Sequence, residues 1–348
     1  MNQLTAYNSN KISVFHGIGI AFVMLNHIGY QEMQYPTMIV INSLATCGQW
    51  AVCMYIILAG YLFYNGINRE DITTSFDQKF RRRIRTLVIP FVLWSAFGTI
   101  LYTVLYKLGL RDEWTVMAHD ISDGSYLRLF CNPGMLQMWF VRDLIWCVIF
   151  SIPLYFLIRK LGIIVPLVLY FYSWFHVDFS IWLFCIPVKS FIFFTIGACF
   201  SIRKWSIDCR YVSKVSALCL LFFTFGTFLL QLFIEDLNVL QFQIVMLFLC
   251  FFSVWTFYDH FPVFFDWLSS YFALPQRGFF MFATFEPFYY LSKHFVVTLL
   301  GDIYLSSTYI QIVTLIIMYV IFFYTINRIA AAVHGGSPSL YRVLTGGR

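Results

Sequence analysis

Residues Lys11 to Tyr30 read KISVFHGIGIAFVMLNHIGY. The stretch is apolar and has the length of about 20 residues that a membrane-spanning helix needs, yet it contains His16 and His27. At about 100° per residue, the spacing of the two histidines is close to three turns, so they are predicted to share one helix face, about 16 Å apart. Because ionisable groups inside a membrane face protein or a water-filled cavity, this face is predicted to line a polar interior walled by other spans.

The composition predicts an all-α polytopic membrane protein. Hydrophobic residues make up 60% of the 348 residues and charged residues only 11%, whereas soluble domains contain about a quarter charged residues. Little chain remains for a soluble domain, so one transmembrane domain is expected over residues 1–348. About ten apolar segments have membrane-crossing length, namely residues 12–30, 47–65, 87–108, 138–158, 161–177, 181–201, 215–234, 240–258, 279–300 and 310–332.

The distribution of basic residues predicts the orientation of these spans. Seventeen of the 23 lysine and arginine residues fall on the side that carries both termini, and only Arg111 and Arg128 fall in loops on the opposite side. Under the positive-inside rule, both termini are therefore cytoplasmic, in a multi-pass protein of the cytoplasmic membrane. The net charge of +6 is explained by these short loops, so nucleic acid is not an expected partner, whereas membrane lipids are.

Two further features bear on function. The nine cysteines show neither metal-ligand spacing nor a disulfide framework, so no metal site and no permanently bound cofactor are expected. The longest outer loop, residues 109–137, is acidic and is interpreted either as a lid that contacts an acceptor or as an ordinary solvated connection.

Several polar residues are predicted to lie at similar depth toward the outer leaflet. Each ionisable group placed in hydrocarbon costs about 2.5–3.5 kcal/mol on insertion scales, so the group is predicted to converge on one polar cavity. Simpler explanations remain open, because Arg142 and Asp143 can pair across helices and Lys293 can reach outward to the headgroups. The set consists of Asn26, His27, Arg142, Asp143, Lys189, Glu286, Lys293 and His294.

Within this set, His27 is the candidate general base, because a neutral imidazole accepts a hydroxyl proton near pH 7. The alternative is a histidine that only forms hydrogen bonds between helices. For His16, three roles remain open: binding a ligand, orienting a neighbouring side chain, or lying at the interface.

The basic cluster KFRRRIR, from Lys79 to Arg85, precedes Pro90. One interpretation is an anchor that binds anionic headgroups and sets the orientation. The other is a clamp for a phosphorylated ligand, since Arg82 and Arg85 are three residues apart and guanidinium groups match phosphate geometry.

A series of short phrases along the chain supports a family resemblance through its order and spacing. These are His27 in LNHIGY, LAGYLF at 58–63, Arg82 and Arg85 followed by VIP at 88–90, WFVRDL at 139–144, FFTIGACFS at 193–201, the segment 288–294 that ends in His294, and LTGGR at 344–348. Together they resemble the acyltransferase-3 family of integral-membrane acyltransferases, in particular the bacterial branch that O-acetylates cell-surface sugars.

The resemblance implies an O-acyltransferase of the cell envelope that moves an acyl group, expected to be acetyl, from acyl-CoA to a hydroxyl of a surface or lipid-linked sugar. Acyl-CoA, acetyl-CoA in the expected case, is then the donor substrate and not a resident cofactor. The implied catalytic set is His27, His16, Arg142, Asp143, Glu286 and His294, and the implied donor-binding set is Arg82, Arg85 and Lys189. Arg142 or Lys189 would also stabilise the oxyanion.

One position departs from the family pattern. His16 stands where the family's first helix has an arginine, and an imidazole lacks the permanent charge and the fork of a guanidinium. Two alternatives to an active enzyme therefore stay open: an inactive family member, and a transporter or flippase of a lipid-linked saccharide, whose path the same buried charges would line.

Overall fold

The computed structural model describes residues 5–27, 35–68, 70–108, 135–176, 178–181, 184–233 and 240–347. Residues 109–134 of the predicted acidic loop lie outside these ranges, as do Tyr30, Arg69 and Arg348. The described chain is helical apart from one short antiparallel ribbon, which confirms the helical class.

The elements follow one another along the chain with short connections. The helices are α1 (Ala6–Leu25), α2 (Tyr35–Tyr64), α3 (Ile72–Arg83), α4 (Ile89–Lys107), α5 (Trp139–Ile149), α6 (Ser151–Leu161), α7 (Ile164–Tyr172), α8 (Val188–Ile202), α9 (Lys214–Phe233), α10 (Leu240–Tyr258), α11 (Pro262–Tyr271), α12 (Leu274–Leu300), α13 (Asp302–Ser306), α14 (Thr308–Gly336) and α15 (Pro338–Thr345). A π-helical turn, Ile84–Val88, joins α3 to α4, and a 3₁₀ turn, Leu136–Met138, precedes α5. The ribbon pairs β1 (Asp178–Ile181) with β2 (Phe184–Pro187).

Three helical stretches of the described chain are long and apolar enough to cross a membrane: Ile72–Leu105, Leu240–Tyr258 and Thr308–Gly336. A fourth is added if the bent pair of α5 and α6 counts as one span. The ten crossings, their orientation and the shared cavity stay predictions.

Three predicted spans differ from the structure. The segment 138–158 is not one helix, because α5 and α6 meet at an angle of 67°. Pro153 explains the break, since its ring would clash with the carbonyl of Ile149 in a continuous helix. The segment 161–177 contains only the nine-residue α7, which begins after Gly162 with its positive φ of 62°.

The third difference concerns the segment 181–201. It begins in the ribbon, and its helix starts only at Val188, directly after Pro187. Proline is common at this boundary, because it lacks the N–H group that the interior of a helix requires.

Contacts divide the chain into two compact units, each built from separate stretches. The first contains Ile56–Trp205 and Val333–Arg348, and the second contains Leu4–Tyr55 and Ser206–Ala332. Because these stretches interleave, no single point in the sequence separates the units. The expectation of one domain over 1–348 stays a prediction.

In the first unit, α2 and α8 pack with their backbones in direct contact. A Cβ atom on Gly60 would collide with the carbonyl oxygen of Phe194, and one on Gly197 would collide with that of Ile57. Both glycines belong to the phrases that carry the family resemblance. Their role is to permit close approach of two helices.

In the second unit, α1 packs along α12. A Cβ atom on Gly17 would lie 2.6 Å from the Cβ of Leu274, and one on Gly278 would lie 2.9 Å from a side-chain carbon of Ile20. Tyr319 of α14 donates a hydrogen bond of 2.7 Å to the carbonyl of Ala21. These contacts fix α1 against the helix that carries Glu286, Lys293 and His294.

Candidate active site

His27 lies in the turn that ends α1. The helix stops at Leu25, and the backbone N–H of His27 donates to the carbonyl of Met24 at 3.0 Å, so the chain tightens before the histidine. The predicted helix over 12–30 therefore ends early, and His27 does not complete three regular α-helical turns from His16. Its side chain is half-buried.

The structure brings His27 together with two residues of α12. The Lys293 ammonium lies close enough to the imidazole for their charges to interact, and Glu286 interacts electrostatically with Lys293 in turn. Lys293 is only 4% exposed, and its Nζ lies 5.5 Å from the ring centroid of Tyr289. The buried position replaces the alternative in which Lys293 reaches outward to headgroups.

His294 follows Lys293 by one residue, which turns its side chain about 100° around α12. It is half-buried, and its carbonyl accepts a hydrogen bond of 2.8 Å from the hydroxyl of Thr298. The geometry thus favours Lys293 over His294 as the partner of His27. The catalytic role of His294 stays a prediction.

His16 forms a separate contact on α1. Its imidazole stacks on the ring of Tyr55 with centroids 5.5 Å apart, and the Tyr55 hydroxyl donates to the His16 carbonyl. A histidine in this place can orient a neighbouring side chain, one of the three roles left open by the sequence. A guanidinium also stacks on aromatic rings, so the arginine of the family pattern suits the same contact.

In the first unit, Arg142 and Asp143 pair with each other on α5 and not across helices. Arg142 donates to one oxygen of Asp143 from Nε at 3.1 Å and from Nη2 at 2.9 Å. The second oxygen of Asp143 accepts from the hydroxyl of Ser190 on α8 at 2.6 Å. Asp143 is fully buried, so its carboxylate holds Arg142 in place and joins α5 to α8.

Ser190 was not predicted from the sequence, although it directly follows Lys189. A serine within an apolar helix carries no signal of its own, and its importance appears only when α8 lies against Asp143. Lys189 is half-buried. Its predicted roles, like those of Arg142 and Asp143, stay predictions.

The basic cluster divides into structural and accessible residues. Lys79 donates to the carbonyl of Asn65 at 2.7 Å and thereby caps the end of α2. Arg82 and Arg85 are exposed, as the clamp requires, but the π-helical turn that begins at Ile84 changes the spacing between them from that of a regular α-helix.

No group of three or more His, Cys, Asp or Glu side chains within the described ranges is arranged to hold a metal ion. The titratable residues instead form pairs and triads of mixed charge. Such sets suit proton transfer and charge stabilisation.

Comparison with known proteins decides the family. A family model described as an acyltransferase domain matches residues 10–331 of the 348. The chain belongs to the acyltransferase-3 family. Family membership confirms the resemblance, and together with the apolar helices it supports a membrane acyltransferase in general terms. No curated protein and no solved structure gives a significant match.

In this acyltransferase-3 chain, the matched residues include α1, α12 and the α5–α8 contact, so every candidate catalytic residue lies inside the family domain. Membership in the bacterial, sugar-acetylating branch stays a prediction.

Proposed function

We propose that this protein is an integral-membrane O-acyltransferase of the bacterial cytoplasmic membrane. It moves an acyl group, acetyl in the simplest case, from acyl-CoA to a hydroxyl of a cell-surface or lipid-linked sugar. The observation that carries the proposal is the half-buried His27 beside the buried Lys293 within a chain of the acyltransferase-3 family.

The chemistry follows from this arrangement. The sugar hydroxyl attacks the carbonyl carbon of the thioester while the His27 imidazole accepts the hydroxyl proton. The positive charge of Lys293 favours the oxyanion of the tetrahedral intermediate. As that intermediate collapses, the carbon–sulfur bond breaks, the sugar ester remains, and the CoA thiolate takes the proton from His27. A variant in which His27 itself carries the acyl group in a covalent intermediate is compatible with the same residues.

The donor is proposed to enter from the cytoplasmic side. The exposed Arg82 and Arg85 would bind the phosphates of CoA, while the pantetheine arm extends toward the thioester site. Arg142 and Lys189 remain the further candidates for oxyanion stabilisation.

The test is the substitution His27→Ala in protein that inserts correctly in the membrane. Removing a general base costs about 10²–10⁴ in rate, so kcat for acyl transfer is expected to fall at least about 100-fold. Transfer of radiolabelled acetyl from acetyl-CoA to sugar acceptors measures the effect.

His334→Ala is the matched control. His334 is exposed near the end of α14 and contacts Tyr341, away from any residue proposed to act in catalysis. Full activity of His27→Ala, or an equal loss in both variants, would exclude His27 as the base.

A further inference from the structure

The first unit contains an apolar pocket that the proposed reaction does not use. Its volume is about 470 Å³, and it lies between the Ile84–Val88 turn with α4 on one side and α5 on the other. Side chains such as Leu87, Phe91, Ile145 and Trp146 form its walls. The volume falls within the range of about 300–1,000 Å³ that is usual for small-molecule sites.

Two guanidinium groups line this otherwise apolar space. Arg142 is paired with Asp143 at 2.9 Å, so its charge is already balanced. Arg83 is half-buried at the end of α3, and within the described residues its guanidinium has no carboxylate partner. Its described contact is with the ring of Phe63, 6.0 Å away. The pocket therefore carries one net positive charge.

The pocket is also bordered by surface that suits hydrocarbon. The lining residues Ile84 and Ile149 are 52% and 51% exposed, and Val92 of the same helix as Phe91 is 47% exposed. In the same cluster, Arg81, Arg82 and Arg85 are exposed. Basic clusters next to apolar helices attract anionic headgroups by about 1 kcal/mol per side chain.

We propose that this pocket binds one anionic membrane phospholipid, with an acyl chain against the apolar walls and the phosphate on Arg83. An apolar wall does not fit a sugar or a nucleotide, since both need several polar partners. A phosphate beside Arg83 supplies the missing counter-charge to a partly desolvated guanidinium. The site is independent of the proposed function.

The experiment measures lipid retention on the purified protein in uncharged detergent by native mass spectrometry. Phosphatidylglycerol is expected to bind in preference to phosphatidylcholine. Arg83→Gln is expected to lower phosphatidylglycerol affinity about fivefold, the effect of one basic side chain. Ile149→Trp is expected to lower it as well, because it fills the pocket from a partly exposed position and leaves the charge unchanged.

Arg81→Gln is the matched control, because it removes a charge from the same turn of α3 but does not line the pocket. It is expected to retain the lipid. Four results would each overturn the proposal: equal binding of phosphatidylcholine, equal losses in Arg81→Gln and Arg83→Gln, unchanged binding in Ile149→Trp, or displacement of the lipid by inorganic phosphate alone.

Discussion

At the scale of single residues, the second unit contains a fully buried ion pair. Nζ of Lys11 lies 2.7 Å from Oδ1 of Asp259, and neither side chain is exposed. The Tyr7 hydroxyl donates to the same oxygen at 2.6 Å, and the ammonium lies 4.2 Å from the ring centroid of Trp255. The sequence places Lys11 among the loop charges that set orientation, whereas the structure shows that it joins α1 to the end of α10.

Removing one partner of this pair leaves an uncompensated buried charge, which costs about 3–5 kcal/mol. Lys11→Met is therefore expected to lower the free energy of unfolding by about that amount. Thermal unfolding in detergent measures the change. The double variant Lys11→Met, Asp259→Leu is expected to recover much of the loss, because it removes both charges.

The control is the exposed pair of Arg81 and Asp77, with a distance of 2.8 Å. Arg81→Met is expected to leave the unfolding temperature unchanged, since water and salt screen such a pair. A Lys11→Met protein as stable as the wild type would contradict the assigned role of the buried pair.

The candidate site was partly predictable at this scale. His27 and Lys293 are recognisable because ionisable residues in apolar segments are rare. The pairing of Asp143 with Ser190 was not predictable, because residues 47 positions apart meet only through the packing of α5 on α8. The position of Lys11 was also not predictable, since a lysine at the end of an apolar segment normally lies in water or among headgroups.

At the scale of elements, the contact between α2 and α8 depends on two glycines. Gly197→Ala would place a methyl group against the backbone of Ile57, and Gly60→Ala would place one against that of Phe194. Overpacking of this kind costs about 1–3 kcal/mol, so both variants are expected to unfold at lower temperature. Thermal unfolding in detergent is again the measurement.

Gly226→Ala provides the comparison within a helix, because nothing lies within 4 Å of a Cβ atom at that position in α9. Alanine is a better helix former by about 1 kcal/mol, so this variant is expected to be as stable as the wild type or more stable. Equal destabilisation at all three glycines would show that close helix approach is not the reason for Gly60 and Gly197.

Sequence patterns located the long helices well and the broken segments poorly. The predicted span 240–258 coincides with α10, and 310–332 lies within α14. The break between α5 and α6 was accessible from Pro153, whose effect on a helix is local. The β1–β2 ribbon was not, because an apolar run of this length is equally consistent with the start of a helix.

At the scale of the whole molecule, the charge distribution predicts that the last span carries the chain from outside to the cytoplasm. Single cysteines at Tyr309 and Ser339 test this prediction, since both positions are exposed on either side of the predicted span 310–332. In a Cys219→Ser background, a membrane-impermeant maleimide should label Tyr309→Cys in intact cells. It should label Ser339→Cys only after permeabilisation, and the reverse pattern would contradict the orientation.

The central claim is that the family domain transfers an acyl group through His27, and one measurement tests it most directly. The purified protein is placed in liposomes with radiolabelled acetyl-CoA and lipid-linked glycans, and both label transfer and glycan movement are followed. The wild type is expected to acetylate the glycan and His27→Ala is not. Movement of the glycan without label would instead indicate a transporter, and neither label transfer nor movement by the wild type would indicate an inactive family member; either result would contradict the account.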